Sequence, residues 1–158
     1  MPLAASMLAS SQSLTSSPRT METVDREKPL RVIDLYAGAG LFGCAAASRG
    51  VTDVLAVESD AAAAEAAKFN LGRYGATGAR VIAGDAADAL KELESAERTL
   101  LVVDPPRNGL AFPAMKALTE SGLKNLVYIS CNPATWTRDA IRLAKGGFTL
   151  RGLELVNM

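Results

Sequence analysis

Leu30-Arg31-Val32-Ile33-Asp34-Leu35-Tyr36-Ala37-Gly38-Ala39-Gly40-Leu41-Phe42-Gly43 is the stretch from which the rest of the chain can be read. An apolar run rich in branched residues leads into Ala37-Gly38-Ala39-Gly40, and Leu41–Ser48 then has helical character, which predicts strand, tight turn and helix. Glycines let a backbone approach a ligand closely, and the start of the following helix offers unpaired N–H groups. Gly38-Ala39-Gly40-Leu41-Phe42-Gly43 is also a literal GxGxxG, with Glu58 twenty residues beyond Gly38. That spacing fits an adenosine-bearing cofactor whose ribose hydroxyls are accepted by Glu58. It does not separate NAD from other such cofactors, so a NAD-dependent oxidoreductase stays open at this point. Asp34, four residues before the first glycine, suits a cofactor carrying an ammonium group. A glycine turn without ligand and a solvated carboxylate at Glu58 are the plainer alternatives.

Outward from this unit the pattern repeats. Strands are expected at Asp53–Glu58, Ala79–Ala83, Thr99–Asp104, Asn125–Ser130 and Phe148–Val156. Helices are expected at Asp60–Tyr74 (with Asp60 as N-cap), Ala86–Glu94, Phe112–Glu120 and Thr135–Lys145. Strand–helix alternation of this kind implies a mostly parallel sheet with helices on both faces, a Rossmann-like α/β fold. The first 29 residues read as a disordered tail and linker, and 30–158 as one domain. A cytoplasmic location is expected; the first 21 residues, Ser-rich and without an acid, have some transit-peptide character, which makes a plastid or mitochondrion the alternative.

With 49% hydrophobic residues in 158, the chain has enough apolar mass for a core. Lys+Arg and Asp+Glu balance at 17 each, so any nucleic-acid partner has to be argued from a site rather than from net charge. There is no histidine, and the two cysteines, Cys44 and Cys131, form no CxxC. This composition argues against a zinc centre and against Ser/His or Cys/His pairs, and no metal site is expected. No apolar run approaches the ~20 residues of a membrane-spanning helix.

Three further positions fall at the carboxyl ends of expected strands, the edge where open α/β sheets bind ligands. Asp85, in Gly84-Asp85-Ala86, could reach an adenine edge or equally cap the next helix. Asp104-Pro105-Pro106-Arg107-Asn108-Gly109 follows an apolar strand, and its prolines make a stiff loop. Tyr128-Ile129-Ser130-Cys131-Asn132-Pro133 places a thiol at a strand end. A thiol is a nucleophile where something lowers its pKa from ~8.5, and is otherwise an inert structural group.

Asp104-Pro-Pro-Arg107-x-Gly109 followed by Leu126-x-Tyr128-x-Ser130-Cys131-Asn132-x-x-Thr135 resembles the signature of the RNA uracil-5-methyltransferases. Arg138-Asp139, the loop from Asp34 to Gly40 and Glu58 match that family as well, and the resemblance runs from about Leu30 to Met158. It implies a class I methyltransferase fold that uses S-adenosyl-L-methionine to methylate carbon 5 of uridine in tRNA or rRNA. Cys131 would be the nucleophile, with Asp104 between cofactor and base. Asp34, Tyr36, Gly38, Gly40, Glu58 and Asp85 would line the cofactor, and Pro105, Pro106, Arg107 and Asn132 would hold an unstacked uridine.

The same resemblance implies parts that residues 1–158 lack: an N-terminal RNA-binding region, a Gln-containing segment before the first strand, and a C-terminal Phe-Pro-x-Thr-x-His-x-Glu stretch whose glutamate is the general base. The chain is therefore expected to be truncated at both ends and impaired in turnover. The family's last strand, which lies between the fifth and sixth, is expected to be missing, leaving the fifth as an edge or the sixth abnormally paired. The alternatives are another S-adenosylmethionine-dependent RNA methyltransferase, for instance one acting on a guanine nitrogen, or an inactive cofactor-binding remnant or partner subunit.

Overall fold

The computed structural model describes residues 3–9, 29–91, 93 and 98–157, with backbone alone at 3–9 and 155–157. The parallel part of the sheet is built from β2 (Arg31–Leu35), β3 (Asp53–Glu58), β4 (Arg80–Ala83), β5 (Thr99–Val103) and β6 (Asn125–Ser130). Helices α1 (Leu41–Ala47), α2 (Ala61–Arg73), α3 (Ala86–Lys91) and α4 (Phe112–Glu120) connect these strands in turn. After β6 come α5 (Pro133–Lys145) and β7 (Leu150–Asn157). A strand near the start of the chain, β1 (Leu3–Ala9), completes the sheet in the order β4-β3-β2-β5-β6-β1-β7. This is the Rossmann-like α/β architecture that the strand–helix alternation predicts.

The central strands are apolar apart from Asp34 and residues at their ends, because both faces of the sheet are covered. Ile33, Leu35, Leu55, Val57, Leu101, Val103, Leu126 and Tyr128 pack on one face against buried residues of α3, α4 and α5. Val32, Val54, Ala56, Leu100, Val102 and Val127 pack on the other against Cys44, Ala46 and Ala47 of α1 and Leu71 of α2. Asp60 caps α2 as expected, accepting the Ala63 N–H at 2.8 Å. Helix α5 begins two residues earlier than the expected Thr135. Asn132 accepts the Ala134 N–H at 3.0 Å, and Pro133 stands at the first helical position, where no N–H is needed.

The chain departs from expectation at its beginning. Within the segment expected to be a disordered tail and linker, residues 3–9 form β1; residues 1–2 and 10–28 lie outside the described residues. β1 runs antiparallel to both neighbours, with Ala5 opposite Ser130 on β6 and opposite Leu155 on β7. The expectation that β6 would be left as an edge, for want of a strand between it and the last one, is thereby corrected. An open edge presents a row of unpaired N–H and C=O groups, and Leu3-Ala4-Ala5-Ser6-Met7-Leu8-Ala9 carries no charge, Gly or Pro to prevent its pairing there.

Deleting residues 1–10 should therefore expose the β6 edge, lowering Tm by roughly 5 °C or more and promoting self-association. Thermal melts and size-exclusion chromatography of the full and shortened chains test this. Identical melting and elution would show that β1 contributes nothing to the sheet.

Candidate functional site

Parallel pairing carries the loops after β2 to β6 to one edge of the sheet. The register sets Leu35 opposite both Val57 and Val103, and Val103 opposite Tyr128, so the strands end almost level. The glycine turn, Glu58, Asp85, the 104–109 loop and Cys131 all follow at that edge.

Asp34 lies wholly inside, and its Oδ2 accepts the Gly43 N–H at 2.8 Å. That N–H belongs to the first turn of α1, where helix donors lack intrahelical partners. Gly43 is tightly packed: a Cβ would stand 3.0 Å from Val54 Cγ1 and 3.2 Å from Leu71 Cδ2, so those side chains would have to give by a few tenths of an ångström. The second carboxylate oxygen, Asp34 Oδ1, is buried with no hydrogen-bond partner among the described residues. Burial, then the nearby Asp104 and Glu58 carboxylates, push the Asp34 carboxyl up to about 7, against the Gly43 hydrogen bond that lowers it. A buried acceptor oxygen without a donor, in a field made more negative by two other acids, suits a cationic ligand group.

Glu58 is latched between two elements. Its Oε2 accepts the Gly38 N–H and its Oε1 the Asp60 N–H, both at 2.8 Å. The remaining lone pairs are available to ligand hydroxyls. Gly38 has φ +53 with open space where a Cβ would stand, and Gly40 has φ +85, so both use glycine's freedom in the turn. Asn70 of α2 holds the same turn by donating to Ala39 O at 2.9 Å. Tyr36 also takes a left-handed conformation, φ 61, which is costly for a side chain with a Cβ and is typical of functional turns. Its hydroxyl is pushed up to about 12 by burial and then by the Asp85 and Asp139 carboxylates, so it remains a proton donor at neutral pH. Asp85 caps α3, its Oδ1 accepting the Ala87 N–H at 2.7 Å, and so does what the plainer of its two readings expected.

Asp104 sits at the rim, and partial burial raises its carboxyl above the ordinary range. Pro105 is buried, while Pro106, Arg107 and Asn108 are exposed. Cys131 is exposed, whereas Cys44 is buried with its thiol pushed up by desolvation and by Asp34. Ser130 folds the chain tightly around Cys131, its hydroxyl taking the Asn132 N–H at 3.1 Å and donating to Asn132 O at 3.2 Å. The cysteine loop is tied directly to the proline loop. Asn132 Nδ2 and Thr135 Oγ1 both donate to Arg107 O, at 3.4 and 3.2 Å.

Thr135, Arg138 and Asp139 were matched to the signature but given no role from the sequence. The structure places all three against the 104–110 loop. Their signal was the fixed distance after Cys131, which on a helix brings Thr135 and Arg138-Asp139 to one side.

Sheet order, helix placement and the ligand edge define a class I, Rossmann-like methyltransferase fold. The chain belongs to the family described as conserved hypothetical protein 95, whose model matches residues 20–139. The 23S rRNA (uracil(1939)-C(5))-methyltransferase RlmD of Pseudomonas aeruginosa is 39% identical over 130 residues, which cover 81% of this chain and 28% of that protein. The chain thus spans under a third of the curated relatives it matches. The tRNA (uracil-54, C5)-methyltransferase of Pyrococcus abyssi, solved with S-adenosyl-L-homocysteine, superposes with TM-score 0.63 at 28% identity, covering 78% of this chain and 31% of that one. A precorrin-6y C5,15-methyltransferase from Geobacter metallireducens shares the fold at TM-score 0.64 and 16% identity, covering 85% and 78% of the two chains. The likeness to RNA uracil-C5-methyltransferases read from the two-part signature therefore holds over most of the chain.

The Asp34 geometry makes a pH prediction. Its carboxyl lies above the unfolded value of ~3.9, so between that value and about 7 the folded state binds more protons than the unfolded state. Its contribution is present in acid and is lost as pH rises through about 7. Urea unfolding should show the wild type losing a few kcal/mol between about pH 5 and about pH 8, and Asp34→Asn losing distinctly less. Equal losses in both proteins would refute the assignment.

Proposed function

We propose that this domain binds S-adenosyl-L-methionine and methylates carbon 5 of a uridine in tRNA or rRNA through a covalent Cys131 adduct. The observation that carries the reading is the joining of the cysteine loop to the proline loop at Arg107 O, on the edge where Asp34, Glu58 and Asp104 gather. The names of the relatives support an RNA uracil substrate.

The residues present fit the cofactor. Asp34, with its unpartnered buried oxygen, suits the ammonium end, and Glu58 suits the ribose. Asp104 follows β5 beside the end of β2, its N–H donating to Leu35 O at 3.4 Å, next to Asp34. When bound, S-adenosyl-L-methionine supplies an electrophilic methyl group on a sulfonium.

Uracil C5 is a weak nucleophile, and the protein's task is to strengthen it. The Cys131 thiolate adds to C6, forming an Sγ–C6 bond and moving the C5–C6 π pair into an enolate that makes C5 nucleophilic. After methylation, the C5 proton has to leave to a general base. The C5–H electron pair then re-forms the C5–C6 double bond as Sγ departs with the pair of the Sγ–C6 bond. In the resembled family that base is a glutamate. Pro106, Arg107 and Asn132 hold the uridine, with the buried Pro105 stiffening the loop rather than touching the base, and the uridine must be unstacked for Cys131 to reach C6.

The second reading, methylation of a base nitrogen by the same fold, needs no thiol, and a single experiment separates the two. The chain is incubated with S-adenosyl-L-methionine and RNA carrying 5-fluorouridine, and intact mass is recorded. Fluorine cannot leave as a proton does, so a species with the mass of chain, RNA and one methyl group is expected, and Cys131→Ala should abolish it. Methyl transfer to ordinary RNA that persists in Cys131→Ala would instead support nitrogen methylation. Cofactor binding with neither product would leave a cofactor-holding module.

A further inference from the structure

Asp139 is a carboxylate with no exposed surface, on the inner side of α5. Burying such a charge is expensive unless donors surround it, and an apolar residue of similar size would usually fill the space at less cost. Here the donors come from several parts of the chain. Asp139 Oδ2 accepts the Leu110 N–H at 2.8 Å and the Tyr128 hydroxyl at 2.7 Å. Asp139 Oδ1 faces Arg138 Nε at 2.9 Å and Arg142 Nη1 at 3.5 Å. Arg138 extends the arrangement by donating from Nη2 to Asn108 O at 2.8 Å.

The loop backbone is therefore held at several successive points by one helix and its cap. Arg107 O takes Asn132 and Thr135, Asn108 O takes Arg138, and the Leu110 N–H goes to Asp139. Gly109 at φ +77 lies flat against the carboxylate, where a Cβ would run into Asp139 Oδ2 and Arg138 Nη2. The Gly109 N–H closes the turn on Pro106 O at 2.7 Å. Tyr128 joins the strand to the same oxygen, and Cys131 follows three residues later. One carboxylate oxygen thus registers the strand end that presents the thiol against the loop that begins with Asp104.

We propose that Asp139 and Tyr128 are positioning residues: their hydrogen bond, shared with the Leu110 N–H, locks the 104–110 loop in the form that holds the target base against Cys131. This rests on the reaction proposed above, but neither residue needs to touch base or cofactor. It also gives a physical reason for the two halves of the signature to occur together. Gly109 in the first half is required by Asp139 in the second, and Asp139 is oriented by Tyr128.

Tyr128→Phe is the decisive variant, because the ring keeps its place in the core while the donor is lost. Amide hydrogen exchange is followed in the 105–110 segment and in β5 and β6, alongside S-adenosyl-L-homocysteine affinity and the rate of 5-fluorouridine RNA adduct formation. Exchange at Leu110 should quicken roughly tenfold and adduct formation slow by roughly tenfold, the scale of one lost hydrogen bond to a charged group. Exchange in β5 and S-adenosyl-L-homocysteine affinity should stay within about twofold of wild type, on the same scale. Asp139→Asn, which replaces one acceptor oxygen by an NH2 and loses the charge facing Arg138 and Arg142, should loosen the loop at least as much. Unchanged exchange at 105–110 in Tyr128→Phe would overturn the proposal, as would loosened exchange with an undiminished adduct rate. If the wild type forms no adduct at all, the reaction reading fails, and the exchange result alone then decides whether the brace exists.

Discussion

The site depends first on parallel hydrogen bonding at nearly level register. β2 pairs with β3 on one side and β5 on the other, and β5 pairs with β6. Side chains far apart in the sequence therefore leave the sheet at one height. Right-handed crossovers place the helices over the faces and leave that edge open to a ligand. Burial of both faces of these largely apolar strands holds the arrangement together.

Within that frame the edge is electrostatically uneven. Burial makes the negative charge on Asp34 costly, and the nearby Asp104 and Glu58 carboxylates add to that cost. The charge is held in place by its strand and one hydrogen bond: Asp34 sits within a strand paired on both sides, and its Oδ2 accepts the Gly43 N–H. Tyr36, in a left-handed turn, is a second strained position beside the first. Strain and unsatisfied charge gathered in one turn are features that folding stability alone would not select. The neighbouring 104–110 loop is the opposite case, with Arg107 O, Asn108 O and the Leu110 N–H all met by α5 and its cap.

Much of the fold could be read directly. Continuous apolar runs ended by Gly, Asp or Asn, separated by helical stretches, place β2 to β6 almost residue for residue. Asp60 as a cap and Glu58 beside the glycine turn were legible because capping and the dinucleotide spacing are local rules. The start of α5 was misjudged because Asn132-Pro133 reads as a stop after a strand when it is a cap and a first helical residue. β1 was missed because a short apolar segment inside a Ser-rich stretch has no local sign of pairing. Its partners, β6 and β7, lie more than a hundred residues away in the chain.

By itself the sequence determined the α/β class, the cofactor-type glycine turn, the two loops of the signature and Cys131 as the candidate thiol. These rest on short-range periodicity, on residue types with strong conformational preferences, and on spacings within a few tens of residues. Only the tertiary structure decided that Asp34 keeps an unpartnered oxygen, that Arg107 O joins the cysteine and proline loops, and that Asp139 braces them through Tyr128 and Leu110. Burial and hydrogen-bond partnership are properties of which segments meet in space, and those meetings are set by the packing of the whole sheet.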